Sequence, residues 1–331
     1  MPSLAIAIEE WPLKAPFRIA GYEFTQCDLI VVSLEERGIT GRGEAAGVYY
    51  HDETPDSMRA QIEEVRSEIE AGIDRMALRE LLPPGGARNA LDCALWDLEA
   101  RRSGIPAWKR AGLDAAPAPL LTTYTIGADS PESMAATARR YAPAPRIKMK
   151  LTGEDDAARV RAVRTARPDA WIAVDANQAF TRTSLEALIP TLRECDVQLI
   201  EQPVKIGAEA ELEDFCSPIP LAADESLQGL SAVAGLRGRF DVANVKLDKC
   251  GGVTEALLMV EAIRAAGMRP MVGCMDGTSL AMMPGCLVGQ LCDFVDMDGA
   301  MFLKNDRAPA VHYENGWVRS PNMGWGKPDS P

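Results

Sequence analysis

The stretch Arg146-Ile-Lys-Met-Lys-Leu151 decides the fold prediction for this chain. It has the character of a short β-strand, in which Lys148 and Lys150 leave the backbone on the same face because they are two residues apart. Two neighbouring ammonium groups repel each other, so such a pair is disfavoured unless the protein uses a lysine with a lowered pKa. A solvated edge strand protected by lysines also explains the pair taken alone. The strands that follow discriminate between the two interpretations.

From about residue 120 onwards, strand-like apolar segments alternate with amphipathic helical segments. The predicted strands are 120–126, 146–151, 171–175, 198–201, 221–224, 243–247, 270–274 and 294–296. The helical segments between them include 155–166, 184–194 and 254–266. Eight strands with seven helical crossovers predict an α/β fold, a (β/α) barrel of the TIM type, whose catalytic groups lie at the carboxyl ends of the strands.

The first part of the chain lacks this alternation and predicts a separate α+β domain. β-like segments at 4–8 and 28–34 lead through a glycine-containing turn to a third strand that ends at Ala46. Helices are predicted next, at about 54–71 and 87–102.

The end of the chain predicts a hairpin, at 311–313 and 317–319, that returns to this first domain. The predicted division is therefore a capping domain at 1–115, completed by about 300–331, and a barrel at 116–299.

Composition excludes several classes of partner. The chain has 331 residues and a formal net charge of -13, which argues against binding to nucleic acid or to an anionic membrane. Its eight cysteines are scattered without a Cys-x-x-Cys pair, so we expect a reducing compartment and no zinc site. Glu9 and Glu10 stand where a signal peptide would need apolar residues. We therefore expect a cytoplasmic protein, and the oligomeric state stays open.

Three acidic residues end successive predicted barrel strands: Asp175, Glu201 and Asp224. Barrel closure brings these strand ends close together, and three converging carboxylates without a cation would repel one another and take up protons. Oxygen ligands with room for water and substrate suit Mg²⁺ in octahedral geometry. Capping of the following helix explains one such acid but not three in succession. The sequence predicts one Mg²⁺ per subunit.

The sixth predicted strand ends with Lys246, across the barrel mouth from Lys148 and Lys150. Lysines on both sides of a metal-bound carboxylate can remove an α-proton from one face and return a proton to the other, while the metal stabilises the enediolate. An ordinary lysine, with a pKa near ~10.4, is a poor base at neutral pH. We therefore expect burial and nearby cations to lower the lysine pKa.

These motifs resemble those of the enolase superfamily, specifically the muconate-lactonizing-enzyme subgroup. The matching motifs occur in family order: Lys148-Met-Lys150, Asp175, Glu201, Asp224 and Lys246-Leu-Asp248. The N-terminal α+β region also looks like the family's capping domain, so the resemblance covers essentially the whole chain. It implies a (β/α)7β barrel, Mg²⁺ bound by the three acids, and Lys150 and Lys246 as the acid/base pair, supported by Lys148.

The end of the eighth predicted strand narrows the resemblance to one group of enzymes within the subgroup. Asp296-Met-Asp298-Gly299 is similar to the Asp-x-Asp of dipeptide epimerases, where the acids bind the substrate's α-ammonium group. Carboxylates on one face, opposite the metal, would hold an amine while Mg²⁺ holds the carboxylate at the other end. An aspartate-rich turn is the alternative. The segments 82–84, 87–97 and 246–252 also resemble L-Ala-D/L-Glu epimerases, so we expect 1,1-proton transfer at the α-carbon of a dipeptide's C-terminal residue.

The segment 16–25 corresponds to the family's specificity loop, which closes over the barrel mouth. Acid-specific epimerases carry a cationic residue in this loop, and that place holds Phe24 here, with Arg18 nearby. If Arg18 faces the cavity, it can bind the glutamate side chain of L-Ala-L-Glu. If it faces outwards, Tyr22 and Phe24 line an apolar mouth that favours a hydrophobic second residue. The overall resemblance favours the L-Ala-D/L-Glu type.

Several other functions are open at this point. N-acylamino-acid racemase, o-succinylbenzoate synthase and muconate cycloisomerase belong to the same subgroup, but none has an obvious need for an ammonium clamp at Asp296 and Asp298. A non-catalytic, metal-stabilised binding protein would not need both Lys150 and Lys246. A Schiff-base aldolase would use one lysine and no three-carboxylate metal site.

Overall fold

The computed structural model describes residues 1–328 and begins with an antiparallel sheet. Its strands, in sheet order, are β1 (Ser3–Ile19), β2 (Tyr22–Glu36) and β3 (Ile39–Ala45). The three predicted strands are present, but the first two are much longer than predicted. They continue as a hairpin that pairs Phe17 with Phe24 and turns at Ala20-Gly21, where Gly21 has a φ of +79°. This extension is mostly exposed and so lacks the apolar pattern from which strands are predicted.

Helices follow this sheet in the chain, and the fourth of them packs on it. They are α1 (Pro55–Glu64), α2 (Arg66–Glu70), α3 (Arg75–Leu81), α4 (Gly86–Ser103) and α5 (Ala107–Arg110). The helix predicted at 54–71 is interrupted at Val65, which leaves the helical region with φ -111° and ψ 12°. Helix α4 is buried along nearly its whole length and lies directly on β3. Gly43 permits this contact, because a Cβ there would lie 2.1 Å from the Ala90 carbonyl oxygen.

The second half of the chain forms an eight-stranded parallel sheet. Its strands are β5 (Tyr124–Ile126), β6 (Arg146–Lys150), β7 (Trp171–Asp175), β8 (Val197–Glu201), β9 (Leu221–Ala223), β10 (Val242–Lys246), β11 (Arg269–Gly273) and β12 (Phe294–Asp296). The backbone N–H of Thr123 donates to the carbonyl of Val295 at 3.2 Å, which joins the two outermost strands into a barrel. The predicted fold class, a TIM-like barrel with an α+β cap, is confirmed.

Helices connect most barrel strands. They are α6 (Pro131–Arg140), α7 (Asp156–Ala166), α8 (Arg182–Glu194), α9 (Val233–Leu236), α10 (Leu247–Cys250), α11 (Val253–Ala265) and α12 (Ser279–Gly289). The prediction of seven helical crossovers is wrong for one: the fully described segment between β8 and β9 holds only a 3-10 turn at Glu209–Leu212. Pro203, Gly207 and Pro218 interrupt any longer helix there. Among residues 1–328, no helix combines the length and apolarity needed to cross a membrane.

The C-terminal hairpin corrects a second prediction. Strands β13 (His312–Glu314) and β14 (Trp317–Arg319) pair with β4 (Leu120–Leu121), not with the N-terminal sheet. The first barrel strand predicted at 120–126 is accordingly divided, because its first residues belong to this small sheet and its last ones form β5.

The segments before and after the C-terminal hairpin do contact the N-terminal region. Lys304 N–H donates to the Pro12 carbonyl and the Trp325 indole to the Cys93 carbonyl, both at 2.8 Å. The proposed division into 1–115 with 300–331, and 116–299, stays a prediction.

The lower barrel interior is filled with apolar side chains. These buried residues are Ala173, Leu199, Ala222, Val242 and Met271. Each lies before the carboxyl end of its strand, so the interior is closed below and only the strand ends open towards the cap. Charged side chains are concentrated at these ends.

Candidate active site

Three buried carboxylates converge at the carboxyl ends of neighbouring strands. Asp175 and Glu201 are the last residues of β7 and β8, and Asp224 directly follows β9. One oxygen from each lies within 4.8 Å of the others. Glu201 Oε2 is buried and makes no hydrogen bond, although an ion-pair contact of 2.7 Å joins it to Lys148 Nζ. A hard oxygen donor set of this kind, with a free lone pair, fits Mg²⁺.

The chain's own charges leave this carboxylate cluster unevenly ionised. Burial raises the pKa of Glu201 to about 7. Burial acts in the same direction on Asp175, but Lys148 and Lys150 outweigh it and lower the pKa of that carboxyl to about 2. Lys246 and Lys249 likewise overcome burial and hold the pKa of Asp224 well below its usual range. A divalent cation would favour the ionised form of all three acids.

The lysines predicted from the sequence surround the cluster. Lys150 Nζ lies 2.7 Å from Asp175 Oδ2, and Lys246 Nζ lies 2.8 Å from Asp224 Oδ2. Because β6 and β10 flank the three acid-bearing strands, these two ammonium groups approach the cluster from opposite sides. Lys148, only 2% exposed, lies between Asp175, Glu201 and Asp296, with contacts of 3.0, 2.7 and 2.8 Å.

The protein's own charges alone do not give the expected lowering of lysine pKa for two of these residues, although a divalent cation would act in the lowering direction. Burial lowers the pKa of Lys148, but Asp175, Asp296 and Glu201 outweigh it and raise that pKa well above its ordinary value. The pKa of Lys246 is raised in the same way, chiefly because Asp224 outweighs burial. The sequence pattern showed repulsion between lysines on one strand but not the number of carboxylates that barrel closure places around them.

Two further polar residues of the cluster were missed by the sequence interpretation. Lys249, on the short helix α10, is fully buried, and its ammonium donates to Asp224 Oδ1 at 2.6 Å and to the Asn244 carbonyl at 3.1 Å. Asn244 Nδ2 donates to Glu201 Oε1 at 2.8 Å. Lys249 follows Lys246 by only three residues, and this closeness in the sequence was the available signal.

The paired aspartates of the eighth strand are not equivalent. Asp296 Oδ1 accepts a short hydrogen bond from Thr123, and its Oδ2 lies 2.8 Å from Lys148 Nζ. Burial opposes its ionisation, but Lys148 outweighs burial and holds its pKa below the ordinary value. Asp298 Oδ2 accepts from the Thr125 N–H at 2.6 Å, and burial, with a contribution from Asp296, raises its pKa to about 8. Their role as ammonium ligands stays a prediction.

A cavity of about 260 Å³ lies above the lysines. The β1–β2 hairpin contributes Phe17, Ile19 and Phe24 to its walls, and Lys150 and Lys246 also line it. Tyr49 joins the aromatic wall, with its ring centroid 5.3 Å from that of Phe24. The hairpin therefore covers the barrel mouth with apolar side chains, in the place predicted for the specificity loop.

Arg18 lies on the other face of this hairpin. Phe17 pairs with Phe24 across the ladder and Arg18 with Glu23, so alternation turns Arg18 away from the cavity. Its guanidinium forms an ion pair with Glu23, its side chain is 47% exposed, and it lines a separate surface cleft. The Ala128 N–H donates to the Arg18 carbonyl at 2.8 Å and fixes the hairpin in this orientation. Phe24 is thus placed in the cavity and Arg18 outside it.

Tyr22 also lies outside the cavity walls. It is 46% exposed, and its ring packs against Tyr49 with the centroids 4.7 Å apart. It therefore supports the aromatic wall from behind, and the roles predicted for Arg18 and Tyr22 in substrate binding have no support from their positions.

Curated relatives of this chain include an epimerase and a racemase. An L-Ala-D/L-Glu epimerase of Escherichia coli (strain K12) is 39% identical over 96% of this chain and 99% of its own length. An N-acetyl-D-glutamate racemase of a Pseudoalteromonas species is 35% identical over 87% of this chain and 91% of its own length.

Solved structures show the same fold. An enolase family member from Agrobacterium tumefaciens, crystallised with sodium and L-Ala-L-Glu, superposes with a TM-score of 0.94 at 39% identity, over 97% of this chain and 98% of the other. The dipeptide epimerase from Methylococcus capsulatus, complexed with Mg and the dipeptide L-Arg-D-Lys, gives a TM-score of 0.89 at 29% identity, over 96% of both chains.

Family models match both parts of the chain. The N-terminal domain model of mandelate racemase / muconate lactonizing enzyme matches residues 1–112, and the enolase C-terminal domain-like model matches residues 133–327. The resemblance found in the motifs is thereby confirmed. The chain belongs to the mandelate racemase and muconate lactonizing enzyme family of the enolase superfamily.

Proposed function

We propose that this protein is a Mg²⁺-dependent dipeptide epimerase of the L-Ala-D/L-Glu type, which inverts the α-carbon of a dipeptide's C-terminal residue by 1,1-proton transfer through an enediolate. The observation that carries the proposal is the placement of Lys150 and Lys246 on opposite sides of the carboxylate cluster. Relatives with this activity cover nearly the whole chain and support it.

Asp175, Glu201 and Asp224 are the proposed metal ligands, because their oxygens converge and Glu201 Oε2 makes no hydrogen bond. When bound, Mg²⁺ supplies positive charge to the substrate carboxylate and so stabilises the charge that develops when the α-proton leaves. Lys249 and Asn244 hold two of these carboxylates in place through their hydrogen bonds.

Lys150 and Lys246 are the proposed proton carriers. The neutral amine of one accepts the α-proton, and the ammonium of the other donates a proton to the opposite face of the α-carbon. Either can start the reaction, so both epimers are substrates. Lys148 lies among three carboxylates and positions them, which makes it a supporting residue.

Asp296 and Asp298 are the proposed ligands of the dipeptide's α-ammonium group. Asp296 ends the eighth strand and Asp298 follows it by two residues, next to the first strand of the barrel, and both are buried. One relative is an N-acetyl-D-glutamate racemase. The N-acylated substrate of such a racemase has no ammonium group for Asp296 and Asp298 to bind. Comparing a dipeptide with an N-acetyl amino acid therefore discriminates between these two functions.

Epimerisation of hydrophobic dipeptides is the second candidate. It is favoured by the aromatic cavity wall and by the outward direction of Arg18, which leaves a glutamate side chain without that partner. The ratio of kcat/KM for L-Ala-L-Glu and L-Ala-L-Phe separates the two candidates.

The test of the reaction itself is a dipeptide library incubated with enzyme and Mg²⁺ in D₂O. We expect one deuterium to enter the α-position of the second residue, seen by mass spectrometry, together with the appearance of the other epimer by chiral chromatography. Absence of exchange in every dipeptide would contradict the proposal.

We further propose a cytoplasmic location and a role in recycling cell-wall peptides. The eight cysteines, all within the described residues, are free, as is typical of a reducing compartment. Accumulation of L-Ala-D-Glu in a deletion strain would support the role. No nucleic acid or membrane partner is proposed, and size-exclusion chromatography with light scattering would test for a homo-oligomer.

A further inference from the structure

The carboxylates that line the substrate cavity differ in whether they have hydrogen-bond partners. Three carboxylates line it: those of Asp28, Glu53 and Asp276. Glu53 accepts hydrogen bonds from the Val48 and Gly86 N–H groups, both at 2.9 Å. Asp28 accepts from the Gln26 amide at 2.6 Å. By contrast, no hydrogen bond or ion pair joins the Asp276 carboxylate to any residue within 1–328. Asp276 is therefore the carboxylate that remains available to a ligand.

Asp276 lies close to the proposed catalytic groups without being bound to them. It follows β11, so it stands between the strand ends that carry Lys246 and Asp296. Burial raises the pKa of its carboxyl to about 6, and Lys150 and Lys246 act against this effect. Both lysines form their ion pairs with metal-site acids instead. At neutral pH an ionised, partly buried carboxylate thus faces the cavity without a partner, which is unfavourable.

The other walls match a long apolar stem. Phe17, Ile19 and Phe24 cover the cavity, and Arg18 lies outside it. Among the described residues, the only cations of the lining are Lys150 and Lys246. A glutamate side chain would meet aromatic rings and a second carboxylate. A lysine or arginine side chain would lay its methylenes on the rings and bring its charge to Asp276.

We infer that Asp276 is a specificity-determining residue of this enzyme and selects dipeptides whose second residue is basic, lysine or arginine. The inference rests on the proposed epimerase reaction and concerns only the side chain of the residue that is inverted; for that side chain it replaces the glutamate preference suggested by the relatives with one drawn from the cavity lining. A neutral side chain of equal length leaves Asp276 unpaired, and an acidic one adds repulsion.

The test is a comparison of kcat/KM for L-Ala-L-Lys, L-Ala-L-Met and L-Ala-L-Glu, measured by α-proton exchange in D₂O with Mg²⁺. Lysine and methionine side chains have similar length and differ in charge. We expect the wild-type protein to prefer the lysine dipeptide over the methionine one by about 10-fold or more, because a hydrogen bond between charged groups is lost with methionine.

Variants assign the preference to Asp276. The isosteric change Asp276→Asn should remove most of the lysine preference while the methionine dipeptide keeps its rate. The reversal Asp276→Lys should favour the glutamate dipeptide over the lysine one. Asp293→Asn is the matched control, because Asp293 precedes β12 at the opposite end of the barrel and pairs with Arg264 at 3.1 Å. This control should keep the wild-type ratios of kcat/KM among the three dipeptides.

The outcomes separate the two levels of the proposal. If the wild-type protein exchanges L-Ala-L-Glu or L-Ala-L-Met at least as well as L-Ala-L-Lys, the inference is wrong and the epimerase function stands. An unchanged lysine preference in Asp276→Asn would also overturn it. If no dipeptide exchanges, both fail. Should the variants not fold, the lysine-to-methionine ratio of the wild-type protein, measured at low and high salt, still decides, because a charge-based preference weakens with salt.

Discussion

Replacing Asp298 with Asn tests whether the eighth strand binds the amino terminus of a dipeptide. Asp298 is 4% exposed and accepts the Thr125 N–H at 2.6 Å through Oδ2. Asparagine has the same shape, and its amide oxygen can accept the same hydrogen bond. The substitution therefore removes the negative charge and leaves the packing and the backbone contact in place.

The size of the effect follows from burial. Removing one member of a buried charge pair costs about 3–5 kcal/mol. Burial raises the pKa of Asp298 to about 8, so ionising it at neutral pH to meet an ammonium group costs about 1.4 kcal/mol. The net cost of Asp298→Asn is the difference between these two values, about 1.6–3.6 kcal/mol. It corresponds to roughly a 15- to 400-fold loss of kcat/KM for a dipeptide with a free amino terminus.

The pH dependence has a defined sign. Because the Asp298 pKa is raised, its ionised fraction grows as pH rises towards about 8. The substrate α-amino group, with a pKa of about 7.7–8.0, loses its proton in the same range. We expect kcat/KM of the wild-type protein to rise from weakly acidic pH towards this range and then fall. The rising limb that belongs to Asp298 should be absent in Asp298→Asn.

The assay compares a dipeptide with the N-acetyl derivative of its second residue, using chiral chromatography to follow epimerisation. The dipeptide should suffer the full loss, and the N-acetyl compound, which has no ammonium group, should change little. Asp293→Asn controls for loss of an aspartate elsewhere on the barrel. Equal losses on both substrates would refute the clamp.

Four further predictions concern the metal, the lysines and the cavity. Exhaustive EDTA treatment should abolish turnover and added Mg²⁺ should restore it; full activity in EDTA would contradict the metal site. Alanine at Lys150 or Lys246 should abolish epimerisation, while one variant keeps α-proton exchange with one epimer only, visible by NMR in D₂O. Lys249→Met should lower the free energy of unfolding in urea by about 1–3 kcal/mol, because buried Asp224 loses one of its two lysine partners; an unchanged midpoint would exclude this role. The preference for basic dipeptides should weaken below about pH 6, because the Asp276 carboxylate takes up a proton there and loses its charge. A preference that stays constant down to pH 5 would contradict the role of Asp276.

The positions of the metal-site acids were predictable because they depend on topology alone. Parallel barrel strands place their carboxyl ends on one rim, so Asp175, Glu201 and Asp224 had to meet once the strands were recognised. No knowledge of side-chain packing was needed. The same reasoning located Lys150 and Lys246 on two sides of the cluster.

Properties that depend on non-local neighbours were not predictable in this way. The raised pKa of Lys148 results from carboxylates on β7, β8 and β12, which approach it only after the barrel closes. The role of Lys249 requires that helix α10 directs it under Asp224. The direction of Arg18 requires the pairing register of a hairpin whose exposed residues carry no clear pattern.

The pairing register of this hairpin also separates the residues that set substrate selectivity from those that transfer protons. The hairpin is fixed at the barrel by the hydrogen bond between Ala128 and the Arg18 carbonyl, and Gly127 allows the close approach because a Cβ there would lie 3.2 Å from the same oxygen. Turning Arg18 inwards would need a slip of one residue, which would expose Phe17 and break this contact. A new charge preference is therefore reached more readily by substitution at positions that already face the cavity, such as Phe24 and Asp276, while the proton carriers on β6 and β10 stay unchanged.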